Sequence, residues 1–413
     1  MNLACLLSLI GEMPGYRQLV EALRRGGEER VVVLDAAKPY LLACLRRDLK
    51  LPMLVVTPQL QGVRHLEDQL LAWGQDVVIF PEPDSLPYER LASDPSTIQQ
   101  RIKALSTLTG EGEAPLIITS AHAVARKTLS PSDFRSRVHT IWQGMRVNID
   151  ELLAQWQEMG YEWEHMVEVP GSFSRRGGIL DIYPASSELP VRIELFGDDV
   201  ESIRLFDPAT QRSVRLVTSV TIVPAAEALF PKERLTAQAI LSQLDLSDCH
   251  IEARERIQRE LEKLDGGGQV EELEFYTPLF SSGSIIDYLP QNALLILDQP
   301  AEIEQALREL DAQAGELRRE QVVRGELPGN FPSPYFTYEE FQARFQGVKR
   351  RLSLSLWQSD ETSRSLLSFS PAPSYGGKLT EFLKDTRQML EPVSYTHLRA
   401  HETRHDLVCR LLL

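Results

Sequence analysis

Lys38 stands in "DAAKPY", between the buried-strand run Val31–Leu34 and a leucine-rich helical stretch. Nucleotide-binding proteins place a phosphate cradle at that kind of junction. A cradle needs glycines, so that several backbone N–H groups converge on the phosphate oxygens without a Cβ in the way. This loop has none. Pro39 and Tyr40 follow the lysine where Ser or Thr would hold magnesium, and proline removes a donor the cradle would use. A strand–helix turn with an exposed lysine is the plainer reading. An ATPase also needs an acidic pair at the end of a second buried strand, one residue for magnesium and one to activate water. The run Ala293–Leu297 leads into Asp298, but the next residue is Gln299, which cannot serve as a base. No catalytic residue is assigned, and Lys38 and Asp298 are expected to mark an inactive nucleotide site.

Metal chemistry is suggested only by "HETRH", His401–His405, with His397 and Cys409 extending the four-residue spacing. A hydrolytic zinc site also needs a third ligand and a walled cleft, and eight residues follow the motif. No metal site is expected. A different pattern occurs in "VRIELF", Val191–Phe196. Read as a strand, it puts Val191, Ile193 and Leu195 on a core face and Arg192, Glu194 and Phe196 on the other. Arg175 and Arg176, read as lying on the turn before "ILDIY", would join that second face. Arginine with an exposed aromatic is the composition of a protein-interface anchor, against which stands an ordinary solvated strand face. Asp84, Glu89, Asp94, Arg90 and Arg101 read as a solvated loop and helix face. His122 reads as a strand-end residue, and Glu252–Lys263 as a surface helix laced with i,i+4 pairs.

The elements that must position these residues follow from the wider pattern. The chain has 413 residues, 43% hydrophobic and 25% charged, so it can bury sizeable cores in two to four domains. A net charge of −15 argues against broad coating of nucleic acid. The four cysteines (Cys5, Cys44, Cys249, Cys409) lie far apart with no CxxC pairing, which fits reduced thiols in a cytoplasm. "MNLACLLSLIGEMPG" reads as a packed helix, and no run is long enough for a membrane span. Up to about residue 125, short β-branched runs (Met53–Pro58, Asp76–Pro83, Pro115–Ser120) alternate with helical patterns, the signature of βαβ units and a parallel sheet. Near residue 138 the texture changes to short strands broken by glycine turns, a small antiparallel or α+β insert. Helical character returns from Pro224, the strand Ala293–Leu297 resumes the α/β style, and Leu366–Gly377 reads as a linker.

"FPEPDSLPYERLASDPSTIQQRIKALSTL", "GSFSRRGGILDIYPASSELPVRIELFGDDVESIRLFDPATQRSV" and "SIIDYLPQNALLILDQP" together resemble the N-terminal part of the bacterial transcription-repair coupling factor family, Mfd, which is similar in turn to UvrB. The resemblance runs through most of residues 1–390. It implies an α/β fold: a degenerate RecA-like (P-loop-type) parallel-sheet core with a small inserted α+β domain. Domain 1A would span 1–137, inserted domain 2 138–224, and domain 1B 225–355. A linker and the start of a next domain would take 356–393, and 394–413 is an atypical tail. In the family, domain 2 binds UvrA through two arginines and a phenylalanine. The matching positions are Arg176, Arg192 and Phe196, with spacings of 16 and 4 residues kept; Arg175 does not match. UvrB's tyrosine-rich hairpin has no counterpart in Pro81–Asp94, which holds one aromatic, Tyr88. The resemblance further implies that RNA polymerase and duplex DNA are engaged by C-terminal domains outside this fragment, which also carry the ATP and magnesium chemistry. The fragment itself would need no cofactor. The alternative is a UvrB-like DNA-dependent ATPase.

Overall fold

The computed structural model describes residues 3–91, 93–110, 112–230, 239, 242–265, 270, 272–356, 367, 369 and 378–390. The linker reading of Leu366–Gly377 falls mostly outside these residues, and the whole of the tail with His397, His401, His405 and Cys409 does so.

A six-stranded, all-parallel sheet forms the core, in the order Gly27–Val32, Arg350–Ser355, Leu294–Asp298, Met53–Thr57, Leu116–Ser120, Val78–Phe80. The central strands are apolar at nearly every position because both faces are covered. Val55, Ile118 and Ile296 join one buried cluster, with Leu41, Leu45 and Leu70 from flanking helices. Their sequence neighbours Leu54, Val56, Ile117 and Leu295 join the other, with Leu105, Val124 and Leu307. That is the pattern expected of a parallel sheet between two helical layers. The N-terminal segment is a 3-10 helix, Ala4–Glu12, whose Leu7 and Ile10 pack into the first cluster.

The first strand is Gly27–Val32 and not Val31–Leu34. Its position is set by parallel pairing to the strand Arg350–Ser355, which the apolar run alone does not reveal.

The second six-stranded sheet has the order Ser213–Val217, Asp199–Phe206, Val191–Phe196, Ile179–Ile182, Ser172–Arg176, Glu162–Trp163. Its pairs are antiparallel except the last. One face packs on the helix Ile149–Glu158, capped by the Asn148 side chain, with Trp156 fully buried against Phe173. The chain enters and leaves this unit along a two-stranded ribbon, His139–Trp142 against Ser219–Ile222. Where it returns, Glu227 accepts from Thr128 Oγ1 at 2.6 Å and is paired with the buried Arg101, which also donates to the Pro81 carbonyl and stacks on Phe80 at 3.9 Å. Among the described residues no helix is long and apolar enough to cross a membrane.

Candidate functional site

Lys38 opens the helix Lys38–Leu49, after the 3-10 turn Asp35–Ala37. It is not exposed: the side chain is 3% accessible, its Nζ lies 2.6 Å from Asp298 Oδ1, and it also contacts the Asp35 carboxylate. This corrects the expectation of a solvent-facing lysine. Parallel pairing of Gly27–Val32 with Arg350–Ser355, and of that strand with Leu294–Asp298, brings Asp298 beside the loop that carries Lys38. Asp298 is itself nearly sealed, with 9% of its side chain accessible. Burial pulls the Lys38 ammonium down, yet Asp298 and Asp35 together outweigh that and hold its pKa above the ordinary value. Burial pushes the Asp298 carboxyl up, and the lysine only partly offsets it. Lys38 and Asp298 are therefore paired with each other inside the core. Gln299 follows in the left-handed region at φ 58°, its N–H donating to the Leu354 carbonyl, and starts the helix Pro300–Val323. Among the described residues no group of histidine, cysteine and carboxylate side chains could hold a metal ion.

The outer face of the second sheet is built differently. The core face of Val191–Phe196 is as expected, with Val191 and Ile193 buried. On the other face Phe196 is 79% exposed. Arg192 is 20% accessible and makes a two-pronged pair with Asp181, Nε to Oδ1 at 2.7 Å and Nη2 to Oδ2 at 2.8 Å, while its guanidinium lies over the Phe206 ring at 4.7 Å. Asp181 raises the pKa of Arg192 through that hydrogen bond, which outweighs burial. Arg175 and Arg176 lie in the strand Ser172–Arg176 and not on the turn, which is Gly177–Gly178. Gly177 takes a positive φ of 62°, and a Cβ at Gly178 would come within 3.0 Å of the Leu195 carbonyl. The hairpin so fixed sets Arg176 across from Ile179, and Ile179 across from Glu194, on the face of Arg192 and Phe196. Arg175 pairs with Leu180 and turns to the opposite face, where it meets Asp150 at 2.9 Å. Arg176, Arg192 and Phe196 are thus brought to one surface, and Arg175 is not.

Two residues of this face escaped sequence reasoning. Asp181 is 2% accessible and sits between Leu180 and Ile182; an aspartate inside an apolar strand was itself a signal that a cation must lie opposite. Ile179 is 36% exposed, and only the register reveals its place. The reading of Arg90 and Arg101 as solvated is overturned. Arg101 is fully buried, and Arg90 stacks on Phe275 at 3.9 Å while pairing with Glu260 at 2.8 Å and Glu272 at 2.9 Å. Tyr88 on the same loop is buried against Phe331. The helix Ile251–Asp265 is correspondingly not a free surface helix: Ala253, Ile257 and Leu264 are buried, and Glu260 reaches Arg90. His122 lies just past the strand Leu116–Ser120, partly exposed and near Glu82.

The family model for the UvrB interaction domain matches residues 140–227, which contain this entire second sheet. Similar curated proteins carry one name. The transcription-repair-coupling factor of Bacillus subtilis is 31% identical over 335 residues, 78% of this chain and 28% of that protein. That of Myxococcus xanthus is 31% identical over 306 residues, 69% of this chain and 25% of that protein. That of Escherichia coli is 26% identical over 278 residues, 66% of this chain and 24% of that protein. This chain matches an N-terminal fragment of the transcription-repair-coupling factors. It spans under a third of the length of these relatives.

Proposed function

We propose that the chain is a non-catalytic adaptor of transcription-coupled nucleotide excision repair, whose second sheet recruits UvrA. In this reading 1–137 and 225–355 are the halves 1A and 1B of a RecA-like core that has lost nucleotide binding, and 138–224 is the recruiting domain 2. One observation carries the proposal: Phe196 stands in solvent beside Arg176 and Arg192 on one ordered sheet face, within the residues matched by the UvrB interaction domain. A large exposed aromatic flanked by arginines is what a protein-interface anchor looks like before its partner arrives. The sealed Lys38–Asp298 pair supports the non-catalytic half of the reading, because ATP would have to break a buried ion pair to reach either group. RNA polymerase, duplex DNA and ATP-driven translocation are assigned to parts of the longer family protein, and the setting to the cytoplasm.

The test is a calorimetric titration of purified UvrA into the chain and into the triple variant Arg176→Ala, Arg192→Ala, Phe196→Ala. Binding by the parent and not by the variant is expected; equal affinity refutes the assignment. ATP with magnesium is titrated alongside, and a saturable signal would refute the adaptor reading in favour of a UvrB-like ATPase.

A further inference from the structure

Arg176, Arg192 and Phe196 do not touch one another along the sequence, but the strand register gives them a common neighbour. Ile179 is directly opposite Arg176 on one side and directly opposite Glu194 on the other. Arg192 and Phe196, two residues either way from Glu194, are then its diagonal neighbours, at about 7–8 Å by sheet geometry. All lie on the outer face, and Ile179 is an exposed β-branched apolar residue there. The charges around it are unequal. Arg192 is neutralised by Asp181 at 2.7 Å, and Glu194 by Arg204 at 2.9 Å. Arg176 donates to the His165 carbonyl at 2.7 Å and, among the described residues, has no carboxylate partner. The patch therefore presents an apolar pair, Ile179 and Phe196, with one uncompensated positive charge at its edge.

We infer that Ile179 is the apolar centre of the partner-binding face, and that the partner meets it with an apolar recess bordered by a carboxylate for Arg176. Binding energy concentrates at the middle of a contact, where water is excluded, so the residue adjoining all three anchors is the one whose polarity matters most. Arg192 then acts chiefly by holding the strand pair flat through Asp181. This deepens the UvrA reading and rests on it.

Leu216 supplies the internal control. It lies on the same face, in the row Asp181–Arg192–Arg204–Leu216, but on the far edge strand, and is 70% exposed. Purified UvrA is titrated against the chain and against Ile179→Asp, Ile179→Thr, Leu216→Asp and Phe196→Ala, each checked for folding by its thermal transition. The expected result is at least a tenfold loss for Ile179→Asp, about threefold or more for Ile179→Thr, which keeps a β-branched side chain, and a change within twofold for Leu216→Asp. If both Ile179 variants bind within twofold of the parent while Phe196→Ala is tenfold weaker, the inference about Ile179 is wrong and the UvrA reading survives. Equal losses for Ile179→Asp and Leu216→Asp also overturn it, since the contact would then be spread over the whole face. Absence of binding by the parent chain removes both.

Discussion

Two buried carboxylates in this molecule each hold one cation, and the pairs end differently. Asp298 and Lys38 close on each other inside the parallel core, with their side chains 9% and 3% accessible. Asp181 holds Arg192 on an outer sheet face, where the Arg192 side chain keeps 20% of its surface and Phe196, on the same face, is 79% exposed. Each is a carboxylate buried against a cation; they differ in which side of the pair the fold covers. A charge pair sealed on all sides is a strut, whereas one covered on its carboxylate side alone is a rigid platform for neighbours that can meet another surface.

This contrast can be broken experimentally, and the largest effect should come from the strut. Lys38→Ala leaves Asp298 buried without its cation and should cost about 3–5 kcal/mol of stability in denaturant unfolding, with UvrA affinity unchanged. The double change Lys38→Met, Asp298→Leu should restore most of it. An Ala variant as stable as the parent would mean that the pair is not sealed. The pair's pH signature has a definite sign. Because the folded state raises the pKa of Lys38 above 10.5, its contribution is full below that value and is lost as pH climbs through the folded-state pKa. The double variant, Lys38→Met with Asp298→Leu, should lack this alkaline loss.

Arg192→Ala should come next, at about 2–3 kcal/mol, since it strands Asp181 in the same way but at a site water can partly reach. Arg192→Lys, with one charged point in place of the two-pronged fork, should recover only part of it. Phe196→Ala reverses the pattern: its unfolding midpoint should not move, because the ring is already in solvent, while UvrA binding should weaken by about 2 kcal/mol, roughly thirtyfold. A stability loss there would show the ring to be part of the fold instead of a free anchor. The smallest effect belongs to Glu28, paired with Arg351 at 2.9 Å between the edge strand Gly27–Val32 and its neighbour Arg350–Ser355. The Arg351 hydrogen bond holds the Glu28 carboxyl below 4.5 despite burial. Its stabilisation is present above that value and fades as pH falls through the lower folded-state pKa. Glu28→Gln should therefore flatten the acid limb of stability by less than about 1 kcal/mol.

Much of the architecture was readable because it is local. Runs such as Met53–Thr57 and Leu116–Ser120 are mostly apolar and buried at every position, as strands covered on both faces are, and they are separated by helical periodicities. The glycine-broken strands after residue 138 announced a different kind of sheet. The missing glycines at Lys38 and the Gln299 beside Asp298 were equally plain. What could not be read were the long-range charge partners. Arg101 meets Glu227 126 positions away, and Arg90 meets Glu260 170 positions away, so both looked like surface residues until the chain was closed. The same limit hid the split between Arg175 and Arg176: adjacent in sequence, they are separated by the one-residue parity of a strand whose turn was placed two residues early.

The amino-acid order alone decided that the loop at Lys38 holds no glycine and that proline follows the lysine, so it has less backbone freedom and one donor fewer than a phosphate cradle uses. It also decided that Phe196 shares a strand face with Arg192, since alternation is a property of the extended chain. Only the tertiary structure decided that Lys38 is walled in by Asp298, that Arg176 and not Arg175 reaches the Phe196 face, and that Ile179 lies among them. Those outcomes depend on strand register and on partners brought together from distant segments, which no short window of sequence contains.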